Sequence, residues 1–534
     1  MNETQEIFGL QTRMTIIFCV MLSTCMVAQS GMAGNAANQD AVEIIPLPHP
    51  VSFESDMDKA RPFDKTLRIC LSIADGNDRE ASLSWLSGKL SKWFPASVPT
   101  SLLADGDAKV IPGGVEAYSV DADESGVFIS ANTLKGVRLA LYTIRQIVIA
   151  NRGTLKTEGY LIPWVRIEDH PALGFRALHL CWFPETTAMQ MERLIRLAAF
   201  LKYNYVIVEP WGTYESTRYP WWGWATEKVM SKRETRRLVE IGADLGVTLI
   251  PQINVFGHAT LSGPGSLKHA VLDLGAEYEP LFEPGGWNWC LSNHETQKVL
   301  RGLIAELYED FNRPPFFHIG CDEAQPPSCP ECRKRPYGEI VCEHILSIVE
   351  YVRMLGARTM MWHDMMLRED DPRWRGFYAF GSESTVGLLD RLPNDVVICD
   401  WQYKRPSDLD VKMWPTLEYF LGKGKTVAAC SWKNFDSVAE QGRYVIEHNG
   451  FGFVQTTWGW LNGKNWTDTL SAGATVAWGV PLGKTTAPHG GLPLFNTRFA
   501  NLMRMAERDA GVRGYIDTGT YNYQVCPSTN WKGN

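Results

Sequence analysis

The chain has 534 residues, of which 45% are hydrophobic and 21% charged, a composition that buries a core over most of its length and excludes a largely disordered, collagenous or coiled-coil protein. Its net charge of −8 comes without a block of Lys or Arg, so the basic stripe needed for nucleic-acid binding is missing. The outlier is Trp: 20 of them, against 18 Tyr, must either fill a core or line a pocket that accepts flat apolar rings.

Residues 14–28 are apolar and uncharged and follow Arg13. The run is shorter than the about 20 residues that a membrane-spanning helix needs. It fits the apolar part of an export signal occupying residues 1–33, with cleavage after Ala28 or Ala33. The leader before it, with Glu3 and Glu6, is longer and more acidic than usual for such a signal. Leu22-Ser23-Thr24-Cys25 loosely resembles a lipoprotein cleavage box, although Thr24 fits poorly before the Cys. The expectation is an exported protein, periplasmic or extracellular, with lipid anchoring as an alternative and no transmembrane segment.

Residues 41–165 read as a small α/β unit. Strand candidates lie at 67–73, 118–120 and 127–131, the last two flanking an Asp-Ala-Asp-Glu-Ser-Gly turn. Helix candidates lie at 82–94, with Leu83, Leu86, Leu90 and Trp93 at helical spacing, and at 134–149, with Val137, Leu141, Ile144 and Val148 on one face.

From Gly174 the pattern changes to strands alternating with helices. Apolar strand candidates fall at 176–181, 205–208, 248–255, 316–319, 359–362, 396–401, 426–431 and 452–458. Helical periodicity is clearest at 189–201, 232–245, 297–311 and 343–355. Eight strands with crossover helices, over about 300 residues, predict an α/β fold: a (β/α)8 TIM barrel at 170–485, preceded by the small α+β domain. A doubly wound open sheet ranks second, because no strand is followed by a Gly-rich dinucleotide turn. Residues 486–534 add a helix at 497–510 and a polar tail.

In such a barrel the chemistry sits at the C-terminal ends of the strands. Strand four runs into Gly320-Cys321-Asp322-Glu323. Neighbours in a regular strand point to opposite faces, so both carboxylates can reach one pocket only where the strand breaks up, past Gly320. Two close carboxylates push their pKa values apart, leaving one ionised and one protonated, as a glycosidase requires. Nearly every other strand ends in Trp: Trp182, Trp211, Trp362, Trp401, Trp432 and Trp458. A sugar presents an apolar C–H face that stacks on an indole. Trp211, Trp362, Trp401, Trp432 and Trp458 are therefore expected to ring one pocket around Asp322 and Glu323, rather than merely to pack beneath the loops.

Twelve Cys occur, two of them inside the export signal. Cys329-Pro-Glu-Cys332, with Cys342 and His344 nearby, has the makings of a zinc site, but the spacing to a third and fourth ligand is loose. A disulfide or a plain loop ranks ahead of zinc in an exported chain.

Four segments together resemble glycoside hydrolase family 20, the β-N-acetylhexosaminidases. Residues 117–148 resemble the family's small N-terminal domain. Ile162-Pro163-Trp164 through Pro171, then Phe175-Arg176-Ala177, resemble its entry into the barrel. Ile250-Pro251-Gln252-Ile253-Asn254-Val255-Phe256-Gly257-His258 resembles the third strand, and His318-Ile319-Gly320-Cys321-Asp322-Glu323 the catalytic motif, with Cys321 where Gly is usual.

The resemblance implies removal of terminal N-acetylhexosamine from glycans by substrate-assisted, retaining catalysis, with no cofactor and no metal. Asp322 would orient the 2-acetamido group and stabilise the oxazolinium-like intermediate. Glu323 would be the general acid and base. Arg176 would bind sugar hydroxyls and His258 would help set the protonation of Glu323. Trp362, Trp401 and Trp458 would wall the acetamido pocket and the sugar face, with Trp432 and Asn434 on strand seven. The chain departs from the family pattern in having Gln252 and Asn254 for a Glu and an Asp. Glu209-Pro210-Trp211 stands in place of a His-Leu-Thr-Asp-Asp stretch, so Glu209 is a candidate to support His258. Trp432 and Asn434 replace a Tyr and an Asp, and Trp458-Gly459 replaces Trp-Glu. The alternatives are a glycosidase of altered specificity and a catalytically silent glycan-binding barrel. The expected partner is a carbohydrate, with the oligomeric state left open.

Overall fold

The structure, a computed structural model, describes residues 46–480 apart from 49, 65, 67, 94–98, 103–109, 151–159, 185, 224–228, 260–274, 405–413 and 459–465. The expected export signal at 1–33 and the expected helix at 497–510 fall outside the described residues. Among the described residues no helix is long and apolar enough to cross a membrane.

The small domain is a six-stranded sheet built from β1 (Ser52–Pro62), β2 (Ile69–Ile73), β3 (Thr100–Leu102), β4 (Tyr118–Ala122), β5 (Val127–Ala131) and β6 (Leu161–Asp169) in the order β1-β6-β4-β5-β2-β3. Helices α1 (Arg79–Trp93) and α2 (Leu134–Ala150) pack together and against the sheet. Residues 161–169, which in sequence read as a lead-in to the barrel, are a strand of this sheet, paired with β1 on one side and β4 on the other. The strand runs past the expected domain boundary at 165. β1 has no sequence signature because it is half-exposed along most of its length and carries no apolar alternation.

The second sheet has eight parallel strands: β7 (Phe175–Trp182), β8 (Tyr205–Pro210), β9 (Thr248–Pro251), β10 (Phe316–His318), β11 (Arg358–Trp362), β12 (Val397–Trp401), β13 (Thr426–Ser431) and β14 (Gly452–Gln455). β14 pairs with β7, and the last gap closes just beyond β9, where Ile253 N–H donates to His318 O at 3.0 Å and Val255 N–H to Ile319 O at 3.1 Å. The β9 ladder to β8 ends at Pro251, shorter than the 248–255 expected. The eight-strand expectation therefore holds as a TIM barrel. Helices α3 (Ala188–Phe200), α4 (Lys232–Leu245), α5 (His294–Asp310), α6 (Tyr337–Leu355), α7 (Leu388–Arg391), α8 (Pro415–Gly422) and α9 (Phe435–Glu447) connect successive strands, and α10 (Trp466–Trp478) follows β14. Local sequence fixes several of these helices: Ser231 and Glu234 form a reciprocal cap at the start of α4, and Gly246 ends it at φ 85°.

Inside the barrel the side chains are layered. Phe175, Tyr205, Phe316 and Phe451 form an aromatic plug at the N-terminal end of the strands, with ring centroids 4.6–5.7 Å apart. The same interior cluster holds Ile207, Ile250, Met360, Val397, Ala428 and Val454, with Trp362 and Trp401 as the last residues of β11 and β12.

The two domains are bonded through buried charge. Lys202 Nζ, fully buried, donates to Asp169 Oδ2 at 3.0 Å and to Tyr118 Oη at 2.7 Å, while Trp478 Nε1 donates to Asp169 Oδ1 at 2.6 Å. The two charges are paired and hydrogen-bonded, so burying them is tolerable. Removing one would leave the other uncompensated at a cost of about 3–5 kcal/mol.

Candidate active site

Asp322 and Glu323 share a pocket because the chain stops being a strand at His318. Gly320, Cys321 and Glu323 take φ values of 65°, 80° and 49°, all left-handed. At Gly320 a Cβ would sit 1.9 Å from Asn254 Oδ1, so glycine is required there. Cys321 holds its φ with a side chain, a strained conformation of the kind that clusters at functional sites. Its thiol is fully buried.

The two carboxylates differ in environment. Asp322 is buried, whereas the Glu323 side chain is 38% exposed. His258 stands between them, its Nε2 3.5 Å from Asp322 Oδ2 and 3.4 Å from Glu323 Oε2. Burial alone would lower the His258 pKa. The charges of Asp322, Glu323 and Glu209 outweigh it and hold His258 up at about 9, so the ring is protonated at neutral pH. Asp322 is pushed up, first by burial and then by Glu209 and Glu323, against the pull of His258. Its Oδ1 is buried without a hydrogen-bond partner among the described residues.

A third buried carboxylate, Asp364 at the end of β11, holds the motif from the other side. Its Oδ2 accepts the Glu323 backbone N–H at 2.8 Å and its Oδ1 accepts Trp401 Nε1 at 3.2 Å. Burial and the nearby Asp322 charge raise its pKa. Sequence reasoning places Asp364 at a strand end but gives it no role, because its contact is to the backbone of Glu323.

Trp287 is a second residue that sequence reasoning misses. Its Nε1 donates to Glu323 O at 2.6 Å and its ring lies 4.2 Å from that of His258. Gly257 completes the close packing, since a Cβ there would be 2.2 Å from Asp322 O.

The strand-end Trp residues make ring contacts in separate groups. Trp211 neighbours His258 at 6.4 Å, Trp362 meets Trp458 at 5.2 Å, and Trp401 and Trp432 flank Tyr403 at 5.5 and 5.3 Å. Tyr403 Oη contacts Trp458 Nε1 and so links the two groups. Trp362 is fully buried beneath Trp458 and beside His318, so it is the floor of the pocket rather than a wall. Trp432 donates its indole N–H to Thr457 O at 3.0 Å.

One expected substrate contact, Arg176, is corrected, and a second residue, Asn434, also has a structural task. Arg176 is the second residue of β7, at the N-terminal end of the barrel, away from the carboxylates. It is buried, and its guanidinium is bidentate to Glu116 at 2.8 Å on both nitrogens, with further bonds to Leu173 O and Lys202 O. It fastens the small domain to the barrel floor. Asn434 is the N-cap of α9, its side chain accepting Ser437 N–H at 3.1 Å. Its polar side chain completes a helix end that would otherwise leave donors unsatisfied.

Glu209 takes a different part from direct support of His258. Its Oε1 accepts Asn254 Nδ2 at 2.7 Å and its Oε2 lies 3.2 Å from His179 Nε2, so it acts on His258 through charge alone. Gln252 Nε2 donates onward to Asn254 Oδ1 at 3.3 Å. With Asp322, Glu209 and Asp364 already buried nearby, amides at 252 and 254 extend the hydrogen bonding without adding charge.

Residues 211–413, which include His258, Asp322, Glu323, Trp362 and Trp401, match the model of the glycosyl hydrolase family 20 catalytic domain. The chain resembles glycoside hydrolase family 20 over this segment, which is less than half of its length. It is 25% identical over 259 residues to a β-hexosaminidase subunit beta of Entamoeba histolytica, covering 46% of this chain and 43% of that protein. It is 24% identical over 317 residues to β-hexosaminidase subunit B2 of Dictyostelium discoideum, covering 53% and 51%. The chain thus spans about half the length of these curated relatives. Among solved structures, the fold resembles a β-N-acetylhexosaminidase from Bacteroides fragilis, with a TM-score of 0.64 and 18% identity over 90% of this chain and 99% of that one. It also resembles a family 20 exo-β-N-acetylglucosaminidase from Vibrio harveyi, with a TM-score of 0.62 and 16% identity over 93% and 81%. The likeness in structure covers the small domain as well as the barrel.

Proposed function

We propose that this protein is an exported exo-glycosidase that removes terminal N-acetylhexosamine, GlcNAc or GalNAc, from glycans by substrate-assisted retaining catalysis. The observation that carries the proposal is the pairing of buried Asp322 with half-exposed Glu323 around one histidine. A buried carboxylate with a free oxygen suits an acceptor for the acetamido N–H of a bound sugar. Its charge then stabilises the positive ring formed when the acetamido oxygen attacks the anomeric carbon. Glu323, reachable from solvent, suits a group that protonates the leaving oxygen and then activates water. Tyr403 Oη, beside Trp458 and Trp432, is a candidate donor to the acetamido carbonyl, a part that the strand-seven Trp432 does not fill.

Arg176 is withdrawn to the barrel floor, so one expected contact to sugar hydroxyls falls away, and Asn434 spends its side-chain oxygen on a helix cap. This favours, as a second reading, an altered glycone preference on the same catalytic pair. The test is release of chromophore from an aryl N-acetyl-β-glucosaminide and from its galacto epimer. Turnover lost in Glu323→Gln and inhibited by a thiazoline mimic of the intermediate supports the proposal. Glycan binding without turnover of either epimer contradicts it. Export is tested separately, by the N-terminal sequence and compartment of the mature protein.

A further inference from the structure

We propose that Glu283, Cys290, Cys329 and Cys332 bind one zinc ion that staples the β9–α5 connection to the loop following β10. The four side chains are buried, and one ligand atom from each lies within 4.8 Å of all the others. Cys290 Sγ is 3.7 Å from Cys329 Sγ and 3.8 Å from Cys332 Sγ. Thiolates held at about 2.3 Å around a tetrahedral zinc stand about 3.8 Å apart, so the spacing fits shared coordination. It is far beyond the about 2.05 Å of a disulfide, and all three cysteines are free.

The carboxylate supplies a second, independent sign of a ligand. Glu283 Oε2 accepts the backbone N–H groups of Ser328 and Cys329 at 2.7 and 2.6 Å, which fixes its direction. Its Oε1 is buried with no hydrogen-bond partner among the described residues. A buried carboxylate oxygen left bare is costly, and a divalent cation beside the three sulfurs removes that cost. Cys332 N–H also donates to Cys329 Sγ at 3.3 Å, orienting the sulfur as partners around a metal ligand do. Soft thiolates select zinc over magnesium or calcium. A cleft lined by Glu279, Phe282, Pro284, Ser292 and Glu331 reaches the cluster and offers a way in.

The ligand set differs from the one sequence spacing suggests. His344 Nε2 is bonded to Val255 O at 2.8 Å, and burial lowers its pKa to about 4, so it is a neutral packing residue. Cys342 is buried in α6. The third cysteine comes from upstream instead. Trp287 and Asn288 lie between Glu283 and Cys290. Trp287 touches Glu323 O and His258, and Asn288 exchanges hydrogen bonds with Gln325. The metal would thus stake down the segment that braces Glu323.

The test uses the full chain, expressed with zinc and purified without chelator. Elemental analysis is expected to find about one zinc per chain. Cys290→Ser and Cys332→Ser should lose it and lower Tm. Cobalt-loaded wild-type protein should show thiolate-to-cobalt charge-transfer absorption, a readout that does not depend on the variants folding. Substoichiometric zinc in wild-type protein overturns the proposal, whether its thiols are reduced or its mass shows a disulfide. So does zinc retained in both variants. None of these readouts depends on glycosidase activity, so the proposed reaction and the metal can fail separately.

Discussion

The backbone N–H of Glu323 is bonded to the carboxylate of Asp364 at 2.8 Å, so the residue after Asp322 is held from the turn that follows β11. Asp364 touches no reacting atom on this geometry; it positions Glu323. Asp364→Ala is expected to lower kcat by about 100-fold, the cost of a misplaced catalytic group, with KM little changed. Asp364→Asn keeps an acceptor for the N–H and should restore much of kcat. Equal loss in both variants would assign Asp364 to charge rather than to position.

His258 makes stability depend on pH. Its pKa is raised from 6.5 to about 9 in the fold by the surrounding carboxylates, after the opposing effect of burial. A raised pKa gives stabilisation that is fully present below 6.5 and is lost as pH rises through about 9. The Tm gap between wild type and His258→Gln should therefore be wide at pH 6 and narrow above pH 9. Thermal melts across that range check it, and a gap that widens with pH refutes the assignment of charge to His258.

Arg176 is expected to be a structural residue. Arg176→Ala leaves Glu116 without its bidentate partner and should destabilise the protein by about 3 kcal/mol, read from denaturant melts. At a temperature where the variant is folded, kcat and KM should match wild type. A raised KM would return Arg176 to the sugar.

Much of this site is legible in the amino-acid sequence, for local reasons. The Asp322-Glu323 pair sits in one continuous segment, and the strand-end Trp residues follow once eight strands are counted. Position within a strand is harder to read. β7 is buried at every residue, so no alternation distinguishes its start, where Arg176 lies, from its end. Contacts between distant segments leave no local trace at all. Cys290 meets Cys329 across 39 residues, Asp364 reaches a backbone N–H 41 residues away, and Trp287 bonds a carbonyl at Glu323. β1 is hidden for a different reason, its half-exposed polar sequence.

On the proposed mechanism the substrate's own acetamido group is the nucleophile. Comparing an aryl N-acetyl-β-glucosaminide with the matched aryl β-glucoside, which differs only in carrying a hydroxyl at carbon two, tests this step. Turnover of the first, none of the second, and a large loss of kcat on the first in Asp322→Asn is the expected result. Comparable turnover of both sugars, with kcat unchanged in Asp322→Asn, would contradict it.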